Sequence, residues 1–129
     1  MQVFIGGLAS MLFVLAARRV GPKRELKTYA AGLVLAALIY LGFAAAGGAA
    51  LDWVALEAGG LALFTAAALP GVRGKARALA LGCAAHSAWD LLLHGQAGAA
   101  FVPDWYPSVC AGFDLVLALY ISLRRKLGV

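Results

Sequence analysis

Permanent charge is scarce in this chain, and it is absent from long stretches. Charged residues make up 13% of the 129 positions, six acidic and eleven basic, where a soluble domain averages about 25%. Two cysteines are too few for the disulfide framework of a small secreted domain. The zinc-protease signature His-Glu-x-x-His, the Gly-x-Ser-x-Gly nucleophile turn and the glycine-rich phosphate loop are all missing. No motif-borne hydrolase or nucleotide chemistry can therefore be read from the chain.

Apolar residues fill the space that charge leaves. They make up 64% of the sequence, against roughly 45–50% in soluble domains, and the mean hydropathy is +0.88. A bilayer core of roughly 30 Å takes about 20 apolar residues per helical span. Five stretches qualify: about Val3–Ala17, Thr28–Gly47, Leu51–Leu69, Leu79–Ala97 and Pro107–Leu123. The first and last are short. The expected fold is all-α, a polytopic bundle of five transmembrane helices forming one domain over residues 1–129.

The net charge of +5 is explained by its placement, with no need for nucleic acid as a partner. Arg18, Arg19, Lys23, Arg24 and Lys27 follow the first stretch. Arg73, Lys75 and Arg77 separate the third from the fourth, and Arg124, Arg125 and Lys126 follow the fifth. In a five-span chain all eleven lie on one side. The other side, with the N-terminus, the Gly48–Ala50 turn and the Gly98–Tyr106 loop, has none. Positive residues stay in the cytoplasm, so the N-terminus is expected outside and the C-terminus inside, in a multi-pass protein of the inner (cytoplasmic) membrane. The first stretch lacks a basic leader and is followed by Arg18-Arg19, so it reads as a true span rather than a cleaved signal. No lipidation motif is evident.

Turn residues punctuate the pattern. Gly21-Pro22 breaks the chain after the first span, Gly47-Gly48 ends the second and Pro70-Gly71 is expected to end the third. Pro107 suits the first turn of the fifth. Trp53, Trp105 and Tyr106 fall at the outer interface, where aromatic rings favour the headgroup zone. The pairs Gly32/Ala36 and Gly42/Ala46 and the row Gly74/Ala78/Gly82 are spaced for close helix approach. Asp52 is placed to cap the third span. Glu25, Asp52 and Asp104 are expected to be solvated.

The polar residues inside the spans carry the functional argument. His86, Asp90 and His94 recur every four residues in Leu79–Ala97, so a regular helix puts them on one narrow face. Ionisable groups at such positions cost about 2.5–3.5 kcal/mol each on insertion scales. Glu57 in the third span, Asp90 in the fourth and Asp114 in the fifth all lie about six or seven residues from the outer end. That is roughly 9–11 Å below the surface. Three unpaired carboxylates cannot all be charged at one level in low dielectric, and no Lys or Arg lies in any span. Something positive must share the site: a metal cation, a protonated histidine, or protons.

Carboxylates with imidazoles suit zinc or a similar divalent metal ion, with His86, Asp90, His94, Glu57 and Asp114 as candidate ligands. His86 and His94 are about 12 Å apart along a helix axis, too far for one ion to be held by both. One ion then takes Asp90 with one histidine, or Asp90 bridges two ions. A metal-bound water attacking an amphiphilic substrate, with Asp90, Asp114 or Glu57 as the catalytic base, would make a membrane-embedded hydrolase. Two other readings stay open: a proton- or cation-coupled transporter subunit, which at this size would have to form a homo-oligomer, and a structural bundle glued by buried hydrogen bonds. Cys110, four residues before Asp114, reads as a small packing residue, and Trp89 as lipid-facing or packed. Cys83 lies about 21 Å inside the outer end of its span and Cys110 near the surface, so the two thiols are expected to stay free.

The run His86-Ser87-Ala88-Trp89-Asp90, then His94, Pro103 and Cys110 with Asp114, resembles a family of small bacterial integral membrane proteins of unknown function. That family shows His-x-x-Trp-Asp, a histidine pair ending at the position of His94, a proline-containing loop, and Cys-x-x-x-Asp in the last span, with an acid comparable to Glu57 in the third. This sequence has Leu93 in place of the first histidine of the pair. The resemblance implies that these polar positions belong together, and it implies no activity. It covers the C-terminal half, and the first two spans by hydropathy only.

Overall fold

A computed structural model describes residues 1–95 and 100–124. Every regular element among them is helical: α1 (Gln2–Arg19), α2 (Pro22–Ala46), α3 (Leu51–Val72), α4 (Ala76–Trp89) and α5 (Tyr106–Leu123). α4 runs directly into a π-helical turn, Asp90–His94. Helices α1, α2, α3 and α5 are each long and apolar enough to cross a membrane. α4 has 14 residues and its π turn five. Together they reach about 28 Å, close to the hydrocarbon thickness. Gln96-Ala97 at the end of the fourth expected stretch, Gly98-Ala99 of the loop that follows, and Arg125-Lys126 after the fifth lie outside the described residues.

Local chemistry sets the helix ends. Gly21, at φ 97°, turns the chain in a conformation that only glycine adopts without strain. Pro22 then opens α2 at a position where its missing N–H is no loss. α2 therefore starts six residues before the expected Thr28, and Lys23, Arg24 and Lys27 lie on the helix rather than in a loop. At the far end Gly47 follows α2 and Gly48 turns at φ 65°. α3 does not stop at Pro70 but carries it in its last turn. The proline forgoes one bond to the preceding turn because it has no N–H, while its carbonyl accepts from the Lys75 N–H at 2.9 Å. Asp52 is not the cap of α3. Ala50 holds that position, and Asp52 sits in the first turn, where its carboxylate accepts from the Trp53 N–H at 2.9 Å.

The helices pack in the ring order α1, α5, α4, α3, α2, with α4 also reaching α2. The tightest crossing joins α1 to α5. A Cβ on Gly6 would strike the Val109 carbonyl, and one on Gly112 would strike the Val3 carbonyl. This reciprocal glycine pair lies outside the spaced pairs expected to bring helices close. Of those, Gly42 faces open space and Gly74 lies in a turn. Gly82 does lie close to Ala67 and Leu33. Tyr29, Leu33, Phe64, Leu79, Cys83, Leu117 and Ile121 fill the interior.

Glu25 corrects one expectation. It is 3% exposed, not solvated. Its carboxylate accepts from the Tyr29 hydroxyl at 2.8 Å, the Tyr120 hydroxyl at 3.0 Å and the Arg124 guanidinium at 3.0 Å. Burial of an acid is tolerable when each oxygen is met by a donor or a counter-charge, and this clasp ties the start of α2 to the end of α5.

Candidate metal centre

Two histidine–carboxylate pairs are buried in the bundle, and α4 with its π turn supplies one histidine to each. His86 Nδ1 lies 2.6 Å from Asp114 Oδ2 on α5 and 3.6 Å from Asp90 Oδ2 one turn further along its own helix. Cys110 Sγ sits 3.6 Å from the same Asp114 oxygen and 3.9 Å from His86 Nδ1. Ligand atoms of His86, Asp90, Cys110 and Asp114 all fall within 4.8 Å of one another. Ser87 ties the two backbones together beside them, donating to the Ala111 carbonyl at 3.2 Å. The ring of Phe64 stands edge-on to His86 at 4.7 Å.

The second pair is His94 with Glu57 on α3, Nε2 to Oε1 at 2.6 Å. Tyr40 of α2 joins it to the first. Its hydroxyl donates to Asp90 Oδ1 at 2.5 Å, and its ring stacks on His94 at 4.2 Å and 12°. Trp53 and Phe101 complete the aromatic wall around His94, at 5.8 and 6.1 Å. Tyr106 closes over Tyr40 at 5.2 Å.

The four-residue spacing had implied one shared face. All three residues are indeed buried, but they reach three different neighbours: His86 meets α5, Asp90 meets α2 and His94 meets α3. The π turn lies where this fan opens. Its turn takes in one more residue than an α turn, and such insertions cluster at functional sites. The helix thereby distributes its polar groups instead of aligning them.

Sequence reasoning brought three carboxylates to one level with a histidine one turn above and one below, and the structure divides the five. His86, Asp90 and Asp114 converge, while Glu57 and His94 form the flanking pair. Two participants were not foreseen. Cys110 belongs with the first group rather than serving as packing alone, and its spacing to Asp114 was the available signal. Tyr40 had none, since a lone tyrosine in an apolar run reads as core. Trp89 packs against Phe64, edge-on at 5.6 Å, and against Gly60. Cys83 and Cys110 are both free and buried.

The donor chemistry suits a cation. His86 Nε2, Asp90 Oδ2, Glu57 Oε1 and both ring nitrogens of His94 are buried with no aligned hydrogen-bond partner among the described residues. Each such atom costs about 1–3 kcal/mol if left unsatisfied. Among the described residues, the three carboxylates here meet histidines and no lysine or arginine. Imidazole, thiolate and carboxylate are together the ligand types of zinc sites.

Residues 1–126 match a family of unknown function, DUF6010. The chain belongs to that family. The match spans all five helices, so membership extends over the first two as well as the polar C-terminal half. No curated protein and no solved structure matches the chain.

Proposed function

We propose that this membrane protein binds a divalent metal ion, zinc by its ligand chemistry, on His86, Asp90, Cys110 and Asp114. The observation that carries the reading is the convergence of these four donors within 4.8 Å, from two helices, in a buried site. Glu57 and His94 stand beside them as a second ligand pair. A bound metal would supply Lewis-acid activation of water, and Glu57, held at 2.6 Å by His94, is the candidate base. The activity would then be hydrolysis of an amphiphilic substrate presented from the bilayer. The clustering of basic residues at one end of the bundle supports an orientation with the N-terminus outside and the C-terminus in the cytoplasm of a cytoplasmic membrane, in which the site would lie toward the outside.

The test is metal analysis of the purified protein, with Asp90→Asn and His86→Ala alongside. The reading expects about one equivalent of metal in the parent and its loss in both variants. Sub-stoichiometric metal that neither change alters overturns it. If both variants lose stability with no change in any bound species, the cluster is structural.

One observation favours a second reading. Tyr40 links the two histidine–carboxylate pairs, so protonatable groups run from Cys110 through Asp114, His86, Asp90 and Tyr40 toward His94 and Glu57. Such chains carry protons in transporters. In liposomes this reading expects a proton or cation flux that Asp114→Asn abolishes.

A further inference from the structure

Away from the polar cluster, the outer surface of the bundle carries grooves whose charge depends on which end they reach. Between α2 and α3 runs an apolar groove of about 370 Å³, walled by Ala31, Leu35, Leu38, Leu69 and Val72 with Lys27 at its end. Leu35, Leu38, Leu69 and Val72 are exposed. From Lys27 to Leu38 the groove follows α2 for about 16 Å. That is half of a hydrocarbon core of roughly 30 Å, the depth of one leaflet. Lys23 and Arg24 lie about one turn nearer the helix start, and Arg73 directly follows Val72.

A second groove repeats the plan on another face. Between α4 and α5, about 520 Å³ is lined by Leu81, Ala84 and Leu119, with Arg77 and Ser122 at the same end of the bundle as Lys27. The third apolar groove supplies the contrast. It lies between α1 and α5, toward the opposite end, at about 350 Å³, and its lining holds no charged residue. The pairing of an apolar channel with a cation at its mouth thus occurs in these two grooves at the basic end, the second of them shorter at about 10 Å along α4, and not in the α1–α5 groove at the other.

We propose that the α2–α3 and α4–α5 grooves bind anionic phospholipids, each taking an acyl chain along its length and a phosphate at Lys27 or Arg77. An acyl chain matches the lining, and a headgroup phosphate matches a lysine or arginine held at headgroup depth, where basic residues beside a span attract anionic lipid. The α1–α5 groove accepts a chain but has nothing to select its headgroup. The proposal is independent of the metal centre.

Native mass spectrometry of the detergent-purified full chain tests it, with phosphatidylglycerol, phosphatidylcholine and inorganic phosphate titrated separately. The expected result is two retained phosphatidylglycerol molecules and at least tenfold weaker retention of phosphatidylcholine. Lys27→Glu and Arg77→Glu should each remove one. Ala31→Trp, which fills the first channel and keeps its charge, should remove the same molecule as Lys27→Glu. Inorganic phosphate at equal concentration should displace neither. Equal retention of the two lipids, full retention by Lys27→Glu and Arg77→Glu, or displacement by phosphate alone overturns the proposal.

Discussion

His86 and Asp114 meet at 2.6 Å across the α4–α5 interface, both buried. Removing one member of such a pair leaves the other uncompensated, which typically costs about 3–5 kcal/mol. Asp114→Asn and His86→Ala should each lower stability by that order in detergent unfolding. Their double variant should cost less than the sum, because the two act as one unit. Additive losses would show that the contact carries no coupling.

Tyr40 separates two roles in one side chain. Tyr40→Phe keeps the ring stacked on His94 and removes the hydroxyl that Asp90 accepts. The expected cost is about 1–3 kcal/mol from the stranded carboxylate oxygen, together with a measurable change in metal affinity by competition with a chelating dye. Tyr40→Leu loses both roles and should be the worse of the two. An unchanged affinity in Tyr40→Phe would remove Asp90 from the site.

Metal removal gives an independent readout. A ligand at a hundred times its dissociation constant adds about 2.7 kcal/mol to stability. A strong chelator should therefore lower the melting temperature of the parent, with zinc restoring it. Asp90→Asn should melt at the same temperature with and without chelator. A parent that does not respond to the chelator contradicts the metal reading.

The Glu25 clasp should be structural and separate from the site. Glu25→Gln leaves the Arg124 guanidinium without its counter-charge at the α2–α5 junction. Melting should fall while metal content stays at the parental level. Loss of metal in this variant would show that the two ends of the bundle are coupled.

Gly6 and Gly112 predict where α1 fails. Gly6→Val must push α1 off the Val109 carbonyl, so it should expose α1 to protease and lower the melting temperature. Gly42→Ala points into open space and should do neither.

The five helices were legible because apolar runs are separated by basic clusters on one side and by glycine or proline turns on the other, with Gly21-Pro22 and Gly47-Gly48 marking boundaries. The site was legible in its membership but not in its partition. Charge in an apolar helix exposes His86, Asp90, Glu57 and Asp114 to any reader. Which carboxylate each histidine meets depends on a π turn that no residue preference announces. Glu25 misled for a related reason. Its neighbours in sequence are basic and solvated, whereas the hydroxyl of Tyr120 and the guanidinium of Arg124 that bury it come from the other end of the chain. Tyr40 was invisible because its function lies in one oxygen atom on an otherwise ordinary core ring.

The glycine crossing between α1 and α5 has a consequence for biosynthesis. α1 finds its main partner in α5, made after three intervening helices. Until α5 emerges, Phe4, Leu8, Met11 and Leu12 can face lipid, as they still do in the finished bundle, but Gly6 has no backbone to meet. α1 therefore has only α2 to pack against while α3 and α4 are inserted, and the ring closes when α5 joins. Until that moment His86 also lacks Asp114, so closure of the bundle and completion of the polar centre are the same late event.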